Sequence, residues 1–197
     1  RAGKHLLCEK PCGTTLDELD RILAACKEAG VQFMDGVMFM HSDRLANVRQ
    51  ALDDGESIGK LRRIATQFSF CAPDEFLTDN IRMHSDLEPH GCMGDLGWYN
   101  LRFILWVMNY QVPRAVTGRM LNSSGRADSP KPVSTEFSGE ILFDGDVSAS
   151  YYCSFLTEHQ QFAHLSGTQG NLRIDDFVLP FYGNRIGHLV SNANFDC

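Results

Sequence analysis

His5-Leu6-Leu7-Cys8-Glu9-Lys10-Pro11 is a short apolar run closed by two charges and a proline. Such a run suits a strand buried on both faces of a parallel sheet. A helix follows. Thr15 and Glu18 have capping-box spacing, and Leu16, Leu19, Ile22, Leu23 and Cys26 recur at helical intervals up to Gly30, a C-terminal stop. Val31 to Phe39 reads as a second strand. Strand, helix and strand over about 35 residues make one βαβ unit, and a right-handed crossover sets the strands parallel. Parallel strands are stable almost only inside larger covered sheets, so the unit's neighbours are expected before Arg1.

Outward from this unit the pattern changes. Leu45, Val48 and Leu52, between a Ser42 or Asp43 cap and Gly55, predict a short amphipathic helix bridging two layers. Ile64, Thr66, Phe68 and Phe70 alternate with Arg63, Ala65, Gln67 and Ser69, the period of a strand over Leu61 to Phe70. Cys71 to His90 holds Pro73, Pro89 and acidic residues, and reads as a loop that covers a site. Gly91 to Tyr110 turns helical, with Leu96, Tyr99, Phe103, Leu105, Trp106 and Val107 giving a nearly all-round apolar surface that implies burial. Val116 to Leu121 is a strand and Asn122 to Pro132 an exposed turn. Ser134 to Phe143 and Val147 to Phe155 are β-rich runs joined by Asp144-Gly145-Asp146, a hairpin signal, and Asn171 to Ile174 is a further strand. The expected fold class is α+β: one βαβ unit, then an open antiparallel sheet packed on helices.

Composition limits the function. With 43% hydrophobic and 22% charged residues, 197 residues can bury a core. A net charge of -7 argues against a nucleic-acid footprint, which needs clustered Lys and Arg. Apolar runs such as Phe103 to Met108 fall far short of the roughly 20 residues a membrane span requires. Seven cysteines without a C-x-x-C pair argue against a disulfide framework, and no His or Cys spacing suggests a metal site. Inert thiols and the absence of a secretory signal point to a cytoplasmic setting.

Three places carry candidate chemistry. Glu9-Lys10-Pro11 stands at the C-terminal end of a parallel strand, where open α/β sheets place ligands, and Pro11 restricts Lys10 to an extended backbone. Lys10 reads either as a ligand-facing ammonium or as a solvated turn residue. Asp95 and Tyr99, four apart, share one helix face near its positive end, a pairing that can bind hydroxyls and pass a proton. The alternative is a helix cap and a core aromatic. The third place holds His41, Asp43 and Arg44. Arg44 reads as a cofactor or substrate ligand or as half of a salt bridge, and His41 as a substrate ligand or an interdomain histidine.

Ala2 to Pro11, Gly36-Val37-Met38-Phe39-Met40-His41-Ser42-Asp43-Arg44 and Gly94-Asp95-Leu96-Gly97-Trp98-Tyr99, taken in order, resemble the Gfo/Idh/MocA oxidoreductase family. With Tyr151 to Leu156 and Gly167 to Arg173, the chain looks closest to its dihydrodiol dehydrogenase-like branch, which includes plant members. The resemblance runs to about Pro180, and the tail from Phe181 matches nothing in it. It implies that residues 1–41 are the C-terminal remnant of a Rossmann domain and 42–197 a substrate-binding and dimerisation domain incomplete at its C-terminus, so that the chain is a fragment. It also implies NAD or NADP as cofactor, with NADP slightly favoured. Glu9, Lys10, Pro11 and Arg44 would contact the cofactor, and Lys10, His41, Asp95 and Tyr99 a sugar, polyol or dihydrodiol whose hydroxyl and carbonyl are interconverted. Lys10 matches the lysine at the nicotinamide ribose and the reacting oxygen, Tyr99 the proton donor or acceptor, and Asp95 its orienting acid. Some relatives carry His in place of Tyr99, which would shift proton transfer to Lys10. A Tyr99 hydroxyl near its usual pKa of about 10 is mostly protonated at neutral pH and suits acid catalysis, unless a neighbouring ammonium, for which Lys10 is the candidate, lowers that value. The apolar sheet face fits a homodimer, and a non-catalytic binding or oligomerisation module is the alternative reading.

The sequence holds no G-x-G-x-x-G turn, whose amides meet a dinucleotide's pyrophosphate. Each charge-assisted contact so lost is worth roughly 1.5 to 3 kcal/mol. The 197-residue chain by itself is therefore expected to bind NAD(P) weakly or not at all. Tight binding seen by calorimetry would contradict this.

Overall fold

In the computed structural model, which describes residues 2–180 and 186–192, Leu6–Cys8 (β1) and Phe33–Asp35 (β2) pair in parallel around helix α1, Leu16–Glu28. The Thr15 hydroxyl caps α1 by accepting from the Glu18 amide at 3.2 Å, and the Glu18 carboxylate reaches back to the Thr14 amide at 2.8 Å. The second strand is shorter than Val31 to Phe39. After Gly36 donates the last rung to the Cys8 carbonyl at 2.8 Å, Val37 and Phe39 turn into the core, and Met38–His41 coil into a 3-10 turn. Nor is β1 buried on both faces in this chain, since Leu6 is 40% and Leu7 66% exposed. Helix α2, Asp43–Asp53, then starts from a Ser42 cap and buries Leu45, Val48 and Ala51.

The larger sheet has seven strands in the order β4-β5-β6-β3-β7-β8-β9. In chain order they are Leu61–Cys71 (β3), Ala115–Ser124 (β4), Val133–Leu142 (β5), Ser148–Ser154 (β6), Leu156–Gly167 (β7), Asn171–Ile174 (β8) and Leu189–Ser191 (β9). Its pairings are antiparallel except at the centre, where β3 and β6 run parallel from Arg63↔Ser148 to Ser69↔Ser154. That exception departs from a purely antiparallel sheet. Its cause is the long excursion between β3 and β6, which returns the chain to the same end of the sheet. The expected β5–β6 hairpin forms, with Gly145 and Asp146 at φ 77 and 60°.

Three other segments differ from expectation. The stretch from Cys71 to His90 contains a short helix, Asp74–Asp79 (α3), and a 3-10 turn, Ile81–Met83. Strand β4 runs to Ser124, inside the stretch read as a turn, because pairing with β5 extends it. Beyond Pro180, residues 181–185 and 193–197 lie outside the described residues, while Leu189–Ser191 pairs with β8.

One side of the sheet carries helix α4, Trp98–Val107, which buries Tyr99, Phe103, Ile104 and Val107. The Phe68 ring of β3 meets Tyr99 edge-on at 5.6 Å between centroids, and Phe103 packs on Phe39 and Phe177 at 6.2 and 5.2 Å. The 3-10 turn after β2, α4 and the chain beyond β8 therefore share one aromatic core. Phe103→Ala should cost about 3–5 kcal/mol. A fall in the urea midpoint at unchanged m-value would show it.

Candidate active site

Lys10 leaves the end of β1 and points at the start of the helix that covers the large sheet. Its ammonium donates to the Asp95 backbone carbonyl and to Asp95 Oδ1, both at 2.5 Å, with side-chain exposures of 6% and 11% for the pair. The same ammonium lies 4.6 Å from the centroid of the Tyr99 ring. Lys10, Asp95 and Tyr99 thus come together. Asp95 does not stand on a regular α-helix, however: Met93–Gly97 form a π turn that runs into α4. Such turns are wider than α-helix and recur at functional sites.

Glycines explain why the turn can lie there. A side chain at Gly91, whose φ is +53°, would meet the Ser134 carbonyl of β5 at 2.2 Å. One at Gly94 would meet the Glu88 carboxylate at 2.3 Å, and one at Gly97 the Met93 sulfur at 2.6 Å. The missing side chains let the turn nestle against the sheet and against Glu88.

Three further ionisable residues belong to the site. Arg82, on the 3-10 turn after α3, pairs through Nε with Asp95 Oδ2 at 2.8 Å. Glu88 is buried and accepts from the His90 amide at 3.3 Å, while His90 Nε2 lies 3.3 Å from the Thr14 carbonyl just beyond Pro11. All three lie in the stretch read as a covering loop, and the sequence reading singled out none of them. The signal was the density of charge at Arg82, His84, Asp86, Glu88 and His90 amid apolar residues without a period.

The phenol is a weaker acid here than a free tyrosine. Burial, followed by the negative charges of Asp95 and Glu9, pushes Tyr99 up to about 12, and Arg82 offsets only part of this. The Lys10 ammonium sits over the face of the ring and is bound to Asp95, so it does not serve the hydroxyl. The result is a protonated donor beside a fixed ammonium, an arrangement suited to polarising an oxygen and giving it a proton.

Glu9 packs its carboxylate over Gly36, 3.1 Å from where a side chain there would begin. His41 and Arg44 lie elsewhere, lining a cavity of about 610 Å³ with Asp43, Asn47 and His188, among others. Lys10, Asp95 and Tyr99 do not line it. Arg44 is buried there in a salt bridge with Asp176 Oδ1, and its second nitrogen donates to the Asp176 and Phe177 carbonyls at 2.9 and 3.3 Å. Burial and Arg44 lower the pKa of His188 beside it. Among the described residues, no group of three or more His, Cys, Asp or Glu side chains could hold a metal ion.

Comparison with known proteins gives this geometry a context. Residues 1–37 match the family model described as an oxidoreductase family with an NAD-binding Rossmann fold, and residues 45–173 match the GFO/IDH/MocA C-terminal domain. The chain is 31% identical over 187 residues to dTDP-3,4-didehydro-2,6-dideoxy-alpha-D-glucose 3-reductase of Streptomyces violaceoruber, covering 94% of this chain and 51% of that protein. It is 27% identical over 181 residues to trans-1,2-dihydrobenzene-1,2-diol dehydrogenase of Mus musculus, covering 91% and 50%. The aldose-aldose oxidoreductase of Caulobacter crescentus, solved with glycerol, superposes with a TM-score of 0.79 at 26% identity, covering 93% and 52%. The chain spans about half the length of the curated relatives it matches.

Glu88 offers a test of the site's electrostatics. Burial raises its pKa most and Asp95 adds to this, against the opposing His90 amide, His90 and Lys10. A carboxyl raised on folding adds stability while protonated and loses it as pH rises through the folded value. Glu88→Gln should therefore gain thermal stability relative to the parent as pH goes from acid to neutral. A difference in melting temperature that stays flat with pH would contradict this.

Proposed function

The chain belongs to the GFO/IDH/MocA family of oxidoreductases, and on that premise we propose that it carries the reacting centre of an NAD(P)-dependent enzyme interconverting a hydroxyl and a carbonyl on a sugar, polyol or dihydrodiol. The observation that supports this most is the meeting of Lys10, Asp95 and Tyr99 at the end of β1. Residues 1–41 then form the end of a dinucleotide-binding domain and 42–197 the substrate and dimerisation domain.

The residues present fit one end of a dinucleotide. Glu9, Lys10 and Pro11, at the end of a parallel strand beside an acid and a phenol, suit the nicotinamide end, whereas no G-x-G-x-x-G turn occurs here for the pyrophosphate. Arg44, in its salt bridge with Asp176, would touch the cofactor or substrate only at the edge of its cavity, beside His41. When bound, the nicotinamide supplies hydride exchange. We favour NADP over NAD.

The protein's part is orientation and proton management. Lys10, pinned to Asp95, holds the substrate oxygen and draws charge from it. Tyr99, protonated throughout the neutral range, gives that oxygen its proton in the reductive direction. In the oxidative direction so weak an acid is slow to lose its proton, and the Lys10–Asp95 pair is the better route for proton release. A homodimer would form through the open sheet face, where Val116 and Met120 are 68% and 55% exposed. A cytoplasmic setting suits the six described cysteines, all free, and no helix among the described residues is long and apolar enough to cross a membrane.

In a complete homologous enzyme, changes corresponding to Lys10→Met and Tyr99→Phe should each lower turnover, by roughly 10²- to 10⁴-fold for loss of positioned proton transfer. Cofactor affinity should change far less. Steady-state kinetics paired with fluorescence titration of the dinucleotide would separate the two, and unimpaired turnover in both variants would refute the assignment.

A further inference from the structure

We infer that Arg82 is a positioning residue of this site: by holding one oxygen of Asp95, it fixes the other on the Lys10 ammonium. The inference rests on the oxidoreductase reading above and extends it to a residue outside the Lys10, Asp95 and Tyr99 group.

A carboxylate has two oxygens and can turn about its last bond. Lys10 holds Oδ1 at 2.5 Å, and Arg82 Nε holds Oδ2 at 2.8 Å, so the carboxylate plane is set by two cations from separate segments. Without Arg82 the carboxylate keeps one cation and regains freedom to swing, and the Lys10 ammonium is left with the Asp95 backbone carbonyl as its one fixed partner. A misplacement of about 1 Å in a positioning group can cost on the order of 10²-fold in rate.

The reach of Arg82 is itself fixed. The Asn80 side chain caps the turn by accepting from the Arg82 amide at 3.0 Å, and Met83 is fully buried. From behind, the Arg126 amide donates to the Met83 carbonyl at 2.9 Å and Arg126 Nη1 to the Asp79 carbonyl at 3.0 Å. The guanidinium thus projects from an anchored base onto Asp95. It also stands where negative charge gathers, since Glu88, Asp95 and Glu9 all act on this site.

The test compares Arg82→Gln, Arg82→Lys, Arg82→Ala, Arg126→Gln and Lys10→Met in the full enzyme, each shown by circular dichroism to be folded at the assay temperature. Arg82→Gln should lower kcat roughly 10- to 100-fold with the dinucleotide KM unchanged. Arg82→Lys should retain more activity than Arg82→Gln, and millimolar guanidinium should restore part of the activity of Arg82→Ala. Arg126→Gln, which removes one anchor behind the turn but keeps the Arg82–Asp95 contact, should lower kcat less than Arg82→Gln does. A readout independent of turnover is the Lys10 ammonium signal in ¹⁵N-lysine NMR: sharp in the parent, broadened by solvent exchange in Arg82→Gln. An unchanged kcat or an unchanged ammonium signal in Arg82→Gln overturns the inference, as does an equal loss in Arg126→Gln. If Lys10→Met keeps full turnover, the oxidoreductase reading itself fails. If Lys10→Met is inactive while Arg82→Gln is not, only the role of Arg82 is lost.

Discussion

A buried contact between an ammonium and a carboxylate, contributed by residues 85 positions apart, joins the two parts of this molecule. Taking two charges out of water is expensive, and breaking such a pair typically costs about 3–5 kcal/mol because the survivor is left uncompensated. The contact persists because both partners are over-satisfied. Lys10 also binds the Asp95 backbone carbonyl, and Asp95 also binds Arg82. With those bonds in place, the end of a parallel strand, a widened helical turn and a covering segment are held at one point, and the glycines at 91, 94 and 97 are what allow the approach.

The same charges set the character of the phenol. Proximity to a lysine suggests an acidified tyrosine, yet here the ammonium faces the ring and is committed to Asp95. What the hydroxyl experiences is burial and nearby carboxylates, which hold its proton more tightly. That Lys10, Asp95 and Tyr99 meet is legible in the chain, whereas how the charges act on the phenol depends on which face of the ring the cation occupies.

Local signals in the sequence are legible where they are strong. The Thr15 cap, the alternation through Ile64, Thr66 and Phe68, and the turn at Asp144 to Asp146 each appear in the structure. Strand β7 was missed, although it pairs with the central strand along nearly its whole length. Its buried positions Gln161, Ala163 and Leu165 alternate properly, but Thr157 to Gln160 are polar, and one inward residue is a glutamine whose amide is satisfied by the Leu179 backbone at 3.0 and 2.6 Å. A polar core residue erases the period on which strand reading depends. Arg82 and Glu88 escaped for a related reason: irregular backbone has no period, and their partners are distant in sequence. The parallel β3–β6 pairing is likewise a property of the chain's path and of no short segment.

That path has a kinetic side. Strand β3 is synthesised first among the seven, yet both its neighbours, β6 and β7, come from residues at or after Ser148. During translation the middle of the sheet must wait, with its amides and carbonyls unmatched, until most of the chain has left the ribosome. Contacts of such high sequence separation slow folding and leave a sticky edge open in the interim. Helix α4, which packs on Phe68 of β3 and precedes β6 and β7 in the chain, is the element available to cover one face of that strand before its flanks arrive.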